Sequence, residues 1–283
     1  MRKSYKKYYA LFVIPTLAAY VIAFVIPFVM GLGLSFCKFK TLKHAHFVGL
    51  SNYVYVFTQN SGFLEALWFT VKIAVVGVVT TNLIAFGLAL LLSRGLKGTN
   101  FFRTIFFMPN LIGGIVLGYI WQLLLNGILI KLTGNDLTYS ATYGYWGIIL
   151  LYNWQKIGYL MIIYIAGIQS ISSELMEAAK IDGATYRQTL HSIIIPLVSP
   201  SITICTFLAL TDCFKMYDQN LALTGGAPAN KTMMLALHIY NTYYNRKGFS
   251  GIGQAEGVVF TILVLAIAGI QLKISRSREA KEV

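Results

Sequence analysis

Two groups of side chains are polar where their surroundings are apolar. Tyr152, Asn153, Gln155, Lys156 and Tyr159 interrupt one long hydrophobic run, and Asp212 and Lys215 interrupt another. Tyr152, Gln155, Lys156 and Tyr159 recur at helical three-and-four spacing, so a helix presents them as one polar-aromatic face. Asp212 and Lys215, three apart, share a face in the same way. Ionisable groups inside a membrane span are costly, and they face a bundle interior or a water-filled path. Such a face suits the binding of a polar solute rather than the breaking of its bonds. No Walker A pattern, H-E-x-x-H or Cys/His cluster occurs, so neither nucleotide hydrolysis nor metal chemistry is expected of this chain. The competing reading is structural: Asp212 pairs with Lys215, and Lys156 snorkels to the membrane surface.

A further stretch, Glu174 to Pro200, is polar between two apolar runs. Ser172 or Ser173 caps a short helix there, with Glu174 and Glu177 in early turns, where the helix dipole favours anions. Leu175, Ala178 and Ala179 fall on one face, and the alanines let a partner surface approach closely. Gly183 ends the helix in a sharp turn. Thr185 and Gln188 form a capping box for a second helix, and Pro196 marks the passage into the next apolar run.

Positioning these groups falls to membrane-spanning helices. With 57% hydrophobic and only 12% charged residues in 283, the chain is unlike an ordinary soluble domain. Its apolar blocks are long enough to cross a bilayer, so one polytopic domain covering residues 1–283 is expected. A net charge of +13 suggests nucleic acid in a soluble protein, but here it reads as membrane anchoring, and no nucleic-acid partner is expected. The 3 cysteines lie in or beside apolar runs and make no disulfide framework.

Six spans are expected, at about Ala10–Phe36, Ala66–Ser93, Thr104–Leu125, Trp146–Ile171, Leu197–Tyr217 and Glu256–Leu272. Pro15 and Pro27 predict kinks in the first, and Gly114 and Gly118 predict close helix packing in the third. The first run is too long for a signal peptide. His44 and His46, in a loop without a third candidate ligand, read as solvated. Taken together, Met1–Tyr9, the turn around Arg94 and Lys97, the Glu174–Pro200 stretch and the tail from Lys273 are denser in lysine and arginine than the alternate segments together. By the positive-inside rule both termini and the Glu174–Pro200 stretch are therefore cytoplasmic.

Glu177-Ala178-Ala179, then Gly183, then Ile193, Ile195 and Pro196 resemble the EAA loop of the inner-membrane permeases of binding-protein-dependent ABC importers. The isoleucine before Pro196 replaces that family's usual leucine. Phe47-Val48-Gly49-Leu50-Ser51-Asn52-Tyr53 resembles an F-x-G-L-x-N-Y signature of the sugar-importing branch. Phe102-Arg103-Thr104 through Pro109, and Leu223-Thr224-Gly225-Gly226-Ala227-Pro228, resemble two more of its segments.

The resemblance implies an all-α permease of the type I ABC importer fold in a bacterial inner membrane, with residues 172–196 as a coupling loop. Glu177, Ala178, Ala179, Asp182 and Gly183 would carry the coupling to ATPases. It also implies partners: a second, homologous permease, two ATPase subunits that bind ATP and Mg, and an extracellular solute-binding protein. This chain itself would bind no cofactor. Counted outward from the loop, Tyr152, Asn153, Lys156, Tyr159, Asp212 and Lys215 fall near the family's sugar-contacting positions. Because Lys156 and Lys215 outnumber Asp212, an acidic saccharide is one expectation. The rival substrates are a neutral sugar or a non-sugar solute such as an amino acid or glycerol phosphate.

Overall fold

The computed structural model describes residues 12–59, 61–95 and 97–282. The basic Met1–Tyr9 segment and the start of the expected first span lie outside the described residues. The chain divides into two compact units, Met1–Phe63 with Ile239–Ile262, and Leu64–His238 with Leu263–Val283.

The first unit opens with the apolar helix Phe12–Leu34 (α1). Its turns widen to π geometry at Val21–Val25, two residues before Pro27. Proline has no N–H to offer the carbonyl four residues back, here Ala23, and its ring crowds that carbonyl. Beyond α1, Cys37–Lys38 (β1) and His46–Phe47 (β2) form a short antiparallel ladder, the one sheet among the described residues of a structure that is otherwise helical. Helix Ser51–Thr58 (α2) follows. Buried Asn52 locks α2 to the end of α1, since its Nδ2 donates to the carbonyls of Ser35 (2.8 Å) and Cys37 (3.0 Å). The hydroxyls of Tyr53 and Ser35 meet at 2.6 Å. The asparagine and tyrosine of the F-x-G-L-x-N-Y segment thus have structural tasks.

The second unit holds Ser61–Leu92 (α3) from Leu64 onward, Thr99–Phe107 (α4), Gly114–Thr133 (α5), Ala141–Gln169 (α6), Ser173–Ile181 (α7), Tyr186–Leu197 (α8), Ser199–Phe214 (α9) and Asp218–Leu223 (α10). Leu235–Tyr240 (α11) lies at the boundary of the two units, and Ser250–Glu282 (α12) starts in the first and enters the second at Leu263. Five helices among the described residues are long and apolar enough to cross a membrane, and the pair α8 and α9, bent by 67°, brings the number to six if the two count as one span. This is a polytopic helical membrane protein with five to six candidate spans, against the six expected.

The core of the second unit sets small residues of two helices against large apolar residues of a third, so that the helices approach closely. Ala85 and Ala89 of α3 meet Leu160, Met161, Tyr164 and Ile165 of α6 and Cys205 and Ala209 of α9. The Tyr164 hydroxyl donates to Asn82 Oδ1 at 2.6 Å, satisfying the polar end of a buried ring.

Two expected spans are redrawn. The third does not run unbroken over Thr104–Leu125: α4 stops at Phe107, a 3-10 turn covers Met108–Leu111, and α5 starts afresh at Gly114. Pro109 supplies the cause, because it cannot donate to the carbonyl of Ile105 and the chain leaves the helical path by Ile112, where ψ reaches 130°. The expected Asn126–Tyr145 loop shrinks accordingly, since α5 continues to Thr133 and α6 begins at Ala141 with Ser140 as its cap. The fifth span does not begin straight at Leu197. It is bent at Val198, between Pro196 and Pro200, and a π-turn at Leu190–Ile194 again precedes a proline by two residues.

One contact fixes α4 against α6. At Gly158 an added methyl would overlap the carbonyl of Phe106, a backbone atom that cannot turn away. Gly158→Val should therefore destabilise the protein by about 1–3 kcal/mol, the range for overpacking. Gly87→Ala, where an added methyl meets nothing within 4 Å, serves as control. Thermal unfolding in detergent checks this, with a lowered Tm expected for Gly158→Val alone.

Candidate solute path and coupling hairpin

The polar face of α6 meets three other elements of its unit. Lys156 Nζ lies 2.9 Å from Asp212 Oδ2 of α9, an ion pair between helices. It also donates to Asn110 Oδ1 (3.3 Å), on the 3-10 turn between α4 and α5. Gln155 Nε2 donates to the Ile112 carbonyl (3.3 Å), which the unwinding at 108–113 leaves without a helical partner. Gln219 Nε2 of α10 donates to Gln155 Oε1 at 3.0 Å. A discontinuous helix beside ionised side chains is how transporters build polar sites at membrane depth.

The other predicted residues of this face divide by surroundings. Asn153 is buried, its Oδ1 accepting from Thr81 Oγ1 (2.6 Å) and its Nδ2 donating to Thr80 Oγ1 (3.0 Å). Tyr152 is 1% exposed and its hydroxyl donates to the Ala209 carbonyl at 2.9 Å. In this conformation both are tied into helix packing. Tyr159 is half-buried and packs on the core cluster. Lys215 is exposed and caps the C-terminus of α9, where unpaired carbonyls favour a cation. Asp212 therefore pairs with Lys156, not with Lys215, and Lys156 points across to α9 rather than to a membrane surface.

Asn110, Gln219, Thr80 and Thr81 were not singled out from the sequence. A polar residue directly after a mid-span proline is the signal that marks Asn110, while the two threonines look like ordinary small helix residues.

The Leu223–Pro228 segment belongs to a compact scaffold around buried Asn220. Asn220 Nδ2 donates to the Thr232 carbonyl (2.8 Å) and to Thr224 Oγ1 (3.0 Å), and its Oδ1 accepts from the Met234 amide (2.9 Å). Helix α10 lies on α5 where Gly114 and Gly118 leave room, and a methyl at Gly118 would stand 2.7 Å from Ala222 Cβ. The paired glycines thus do the close packing expected of them.

The 172–196 hairpin follows its local sequence signals. Ser172 Oγ accepts from the Leu175 amide at 3.4 Å, so Ser172 is the cap of α7. At the other end Ala184 N–H bonds the Ala179 carbonyl (2.9 Å) and Gly183 N–H the Lys180 carbonyl (3.2 Å). This is a Schellman ending, with Gly183 at φ +75°, a conformation open to glycine and strained for other residues. The Thr185–Gln188 capping box is formed. The expected shared face of Leu175, Ala178 and Ala179 is split, however. Ala179 turns inward, while Leu175 and Ala178 face out with Ile181, which is 85% exposed. The register explains it: Ala179 follows Met176 by three residues, and Met176 packs on the core.

The architecture is that of a membrane-spanning helical protein with a broken third span and a capped polar hairpin. Residues 81–279 match the model of the family described as binding-protein-dependent transport system inner membrane component. The chain belongs to that family. It is 37% identical over 282 residues to the probable starch degradation products transport system permease protein AmyD of Thermoanaerobacterium thermosulfurigenes, covering 97% of this chain and 96% of the relative. It is 30% identical over 289 residues to the multiple sugar-binding transport system permease protein MsmF of Streptococcus mutans, covering 99% of each. Its fold matches a chain of a bacterial ABC transporter involved in import of the acidic polysaccharide alginate, with TM-score 0.82 at 21% identity over 97% of this chain and 98% of that one.

Asn220 carries the sharpest structural prediction of this region. Asn220→Leu removes three hydrogen bonds and leaves two buried backbone groups unpaired, each costing about 1–3 kcal/mol. Hydrogen exchange should accelerate across 224–234 and stay unchanged in α7.

Proposed function

We propose that this chain is one of two homologous permease subunits of an ATP-driven oligosaccharide importer in a bacterial cell membrane. An extracellular binding protein delivers the sugar, and two separate ATPase subunits, binding ATP and Mg, drive alternating access by rocking the permeases against each other. Both termini and the 172–196 hairpin face the cytoplasm, as the distribution of lysine and arginine supports. The names of the AmyD and MsmF relatives support a saccharide as solute. The chain acts as a single permease domain.

The observation that carries the coupling role is the hairpin's geometry. It is a short helix rigidly capped at both ends, with Leu175, Ala178 and Ile181 facing outward from between two apolar spans. An exposed apolar strip this close to a membrane suits a protein partner. Glu177 and Asp182 rim it with charge, Ala179 seats it on the core, and Gly183 sets the angle to α8. Solute contacts come from the α6 and α9 face, with Lys156, Tyr159, Asp212 and Lys215 nearest to solvent and Tyr152 and Asn153 holding their helices in place.

Two measurements check this. The complex purified from its native membrane should contain an ATPase whose activity rises with binding protein and oligosaccharide, tested against neutral sugars, acidic sugars and an amino acid. Absence of any associated ATPase would sink the coupling role of 172–196. Gly183→Asp should insert normally into the membrane and yet lose at least about 90% of sugar uptake, because a side chain at positive φ strains the turn and re-aims α7.

A further inference from the structure

We propose that the Lys156–Asp212 pair is a charge filter that makes this part of the path select uncharged polyhydroxyl solutes and reject uronates. The inference rests on the reading that the α6 and α9 face lines the solute path.

By count alone the face carries an excess of cations, which favours an acidic sugar. The geometry changes that sum. Lys156 is neutralised by Asp212 at 2.9 Å, and Lys215, the C-cap residue of α9, is exposed and makes no part of that pair. The Lys156 ammonium is therefore not left waiting for an anion from the solute.

The pair is not sealed away, since the side chains of Lys156 and Asp212 are 18% and 36% exposed. Ions inside a span expose themselves to a water-filled cavity and not to lipid. What they present there is a matched donor and acceptor. Of the three N–H groups of Lys156, one serves Asp212 and one Asn110. Among the described residues Asp212 Oδ1 has no hydrogen-bond partner. A free ammonium proton beside a free carboxylate oxygen fits adjacent sugar hydroxyls, each of which both donates and accepts. A uronate carboxylate in the same place meets Asp212 as a like charge. It can share the remaining Lys156 proton only beside the Asp212 charge, and displacing Asp212 altogether would leave that carboxylate unpaired in a medium of low dielectric, which is strongly unfavourable.

The test uses the complete importer complex in lipid nanodiscs without binding protein, titrated with maltotriose or trigalacturonate. The wild type should bind the neutral sugar more tightly. Asp212→Asn frees the Lys156 charge and should move the affinity ratio toward trigalacturonate by about tenfold or more. Lys156→Gln should move it the opposite way, and Lys156→Gln/Asp212→Asn should bring the preference for maltotriose back. The swapped pair, Lys156→Asp/Asp212→Lys, keeps the net charge and should keep the wild-type ratio, which guards against a single variant that fails to fold. A ratio in Asp212→Asn within about twofold of wild type overturns the filter, as does lost discrimination in the folded swapped variant. Wild-type complex that binds neither sugar, yet keeps ATPase activity stimulated by binding protein, overturns both the filter and the placing of the path. Absence of an ATPase from the complex strikes only at the coupling reading, because the affinity ratio is still measurable.

Discussion

At Gly158 the backbone of α6 comes so close to the Phe106 carbonyl that no side chain fits between them, and this approach sets where the chain after Phe106 goes. Helix α4 ends one residue later, Pro109 prevents its continuation, and the turn that results hangs beside α6. Gln155 and Lys156, one turn before Gly158, then stand opposite the Ile112 carbonyl and Asn110. Moving α4 outward by the width of a methyl would separate both pairs. Other glycines of α6 extend the same principle along the helix: Gly144 meets Thr232 of the Asn220 scaffold, and Gly167 meets Ser201 of α9. Helix α6 is the element against which the polar chemistry of its unit is aligned.

The prolines do the complementary work of loosening helices at chosen places. Pro27 and Pro196 each follow a π-turn by two residues, so the carbonyl that the proline cannot serve lies inside a widened turn. In hydrocarbon an orphaned carbonyl costs several kcal/mol, so every break needs a substitute donor, a wider turn or a wet cavity. The Ile112 carbonyl takes the first route through Gln155. Along the chain, the way from Gly183 to Asp212 passes through a capped turn, a π-turn and the 67° bend at Val198. Rigid pieces joined at defined bends suit the proposed coupling role, in which the hairpin would pass a displacement on to the α6 and α9 face.

Local chemistry was legible in the sequence and tertiary pairing was not. Ser172, Gly183 and the Thr185–Gln188 box act within four residues of their partners, so residue types and spacing were enough to place them. The five long apolar helices are legible from apolar length alone. The break after Phe107 was missed although Pro109 was in view, because spanning helices often keep their prolines with only a kink. The partner of Asp212 was missed for a different reason. Lys215 is three residues away and Lys156 is 56, and only the packing of α6 on α9 decides between them. Asn153 likewise reads as a solute ligand until Thr80 and Thr81 of α3 are placed against it.

Those contacts also separate two kinds of polar residue on one helix face. Asn153, Tyr152 and Gln155 have their groups engaged by hydroxyls, carbonyls and amides of neighbouring elements, as buried polar groups must. Helix register accounts for them without a solute. Lys156 and Asp212 differ in keeping capacity to spare: one bond joins them, one ties Lys156 to Asn110, and both side chains stay partly exposed. Stability does not explain such a pair, because well-packed apolar residues of similar volume are often as stable or more so. A charge pair that is partly exposed, incompletely bonded and placed where an unwound segment meets two spans is better explained by what has to pass it. Its neutrality is then the property that matters, since a lone lysine at that depth would hold an anion and a lone aspartate would exclude one.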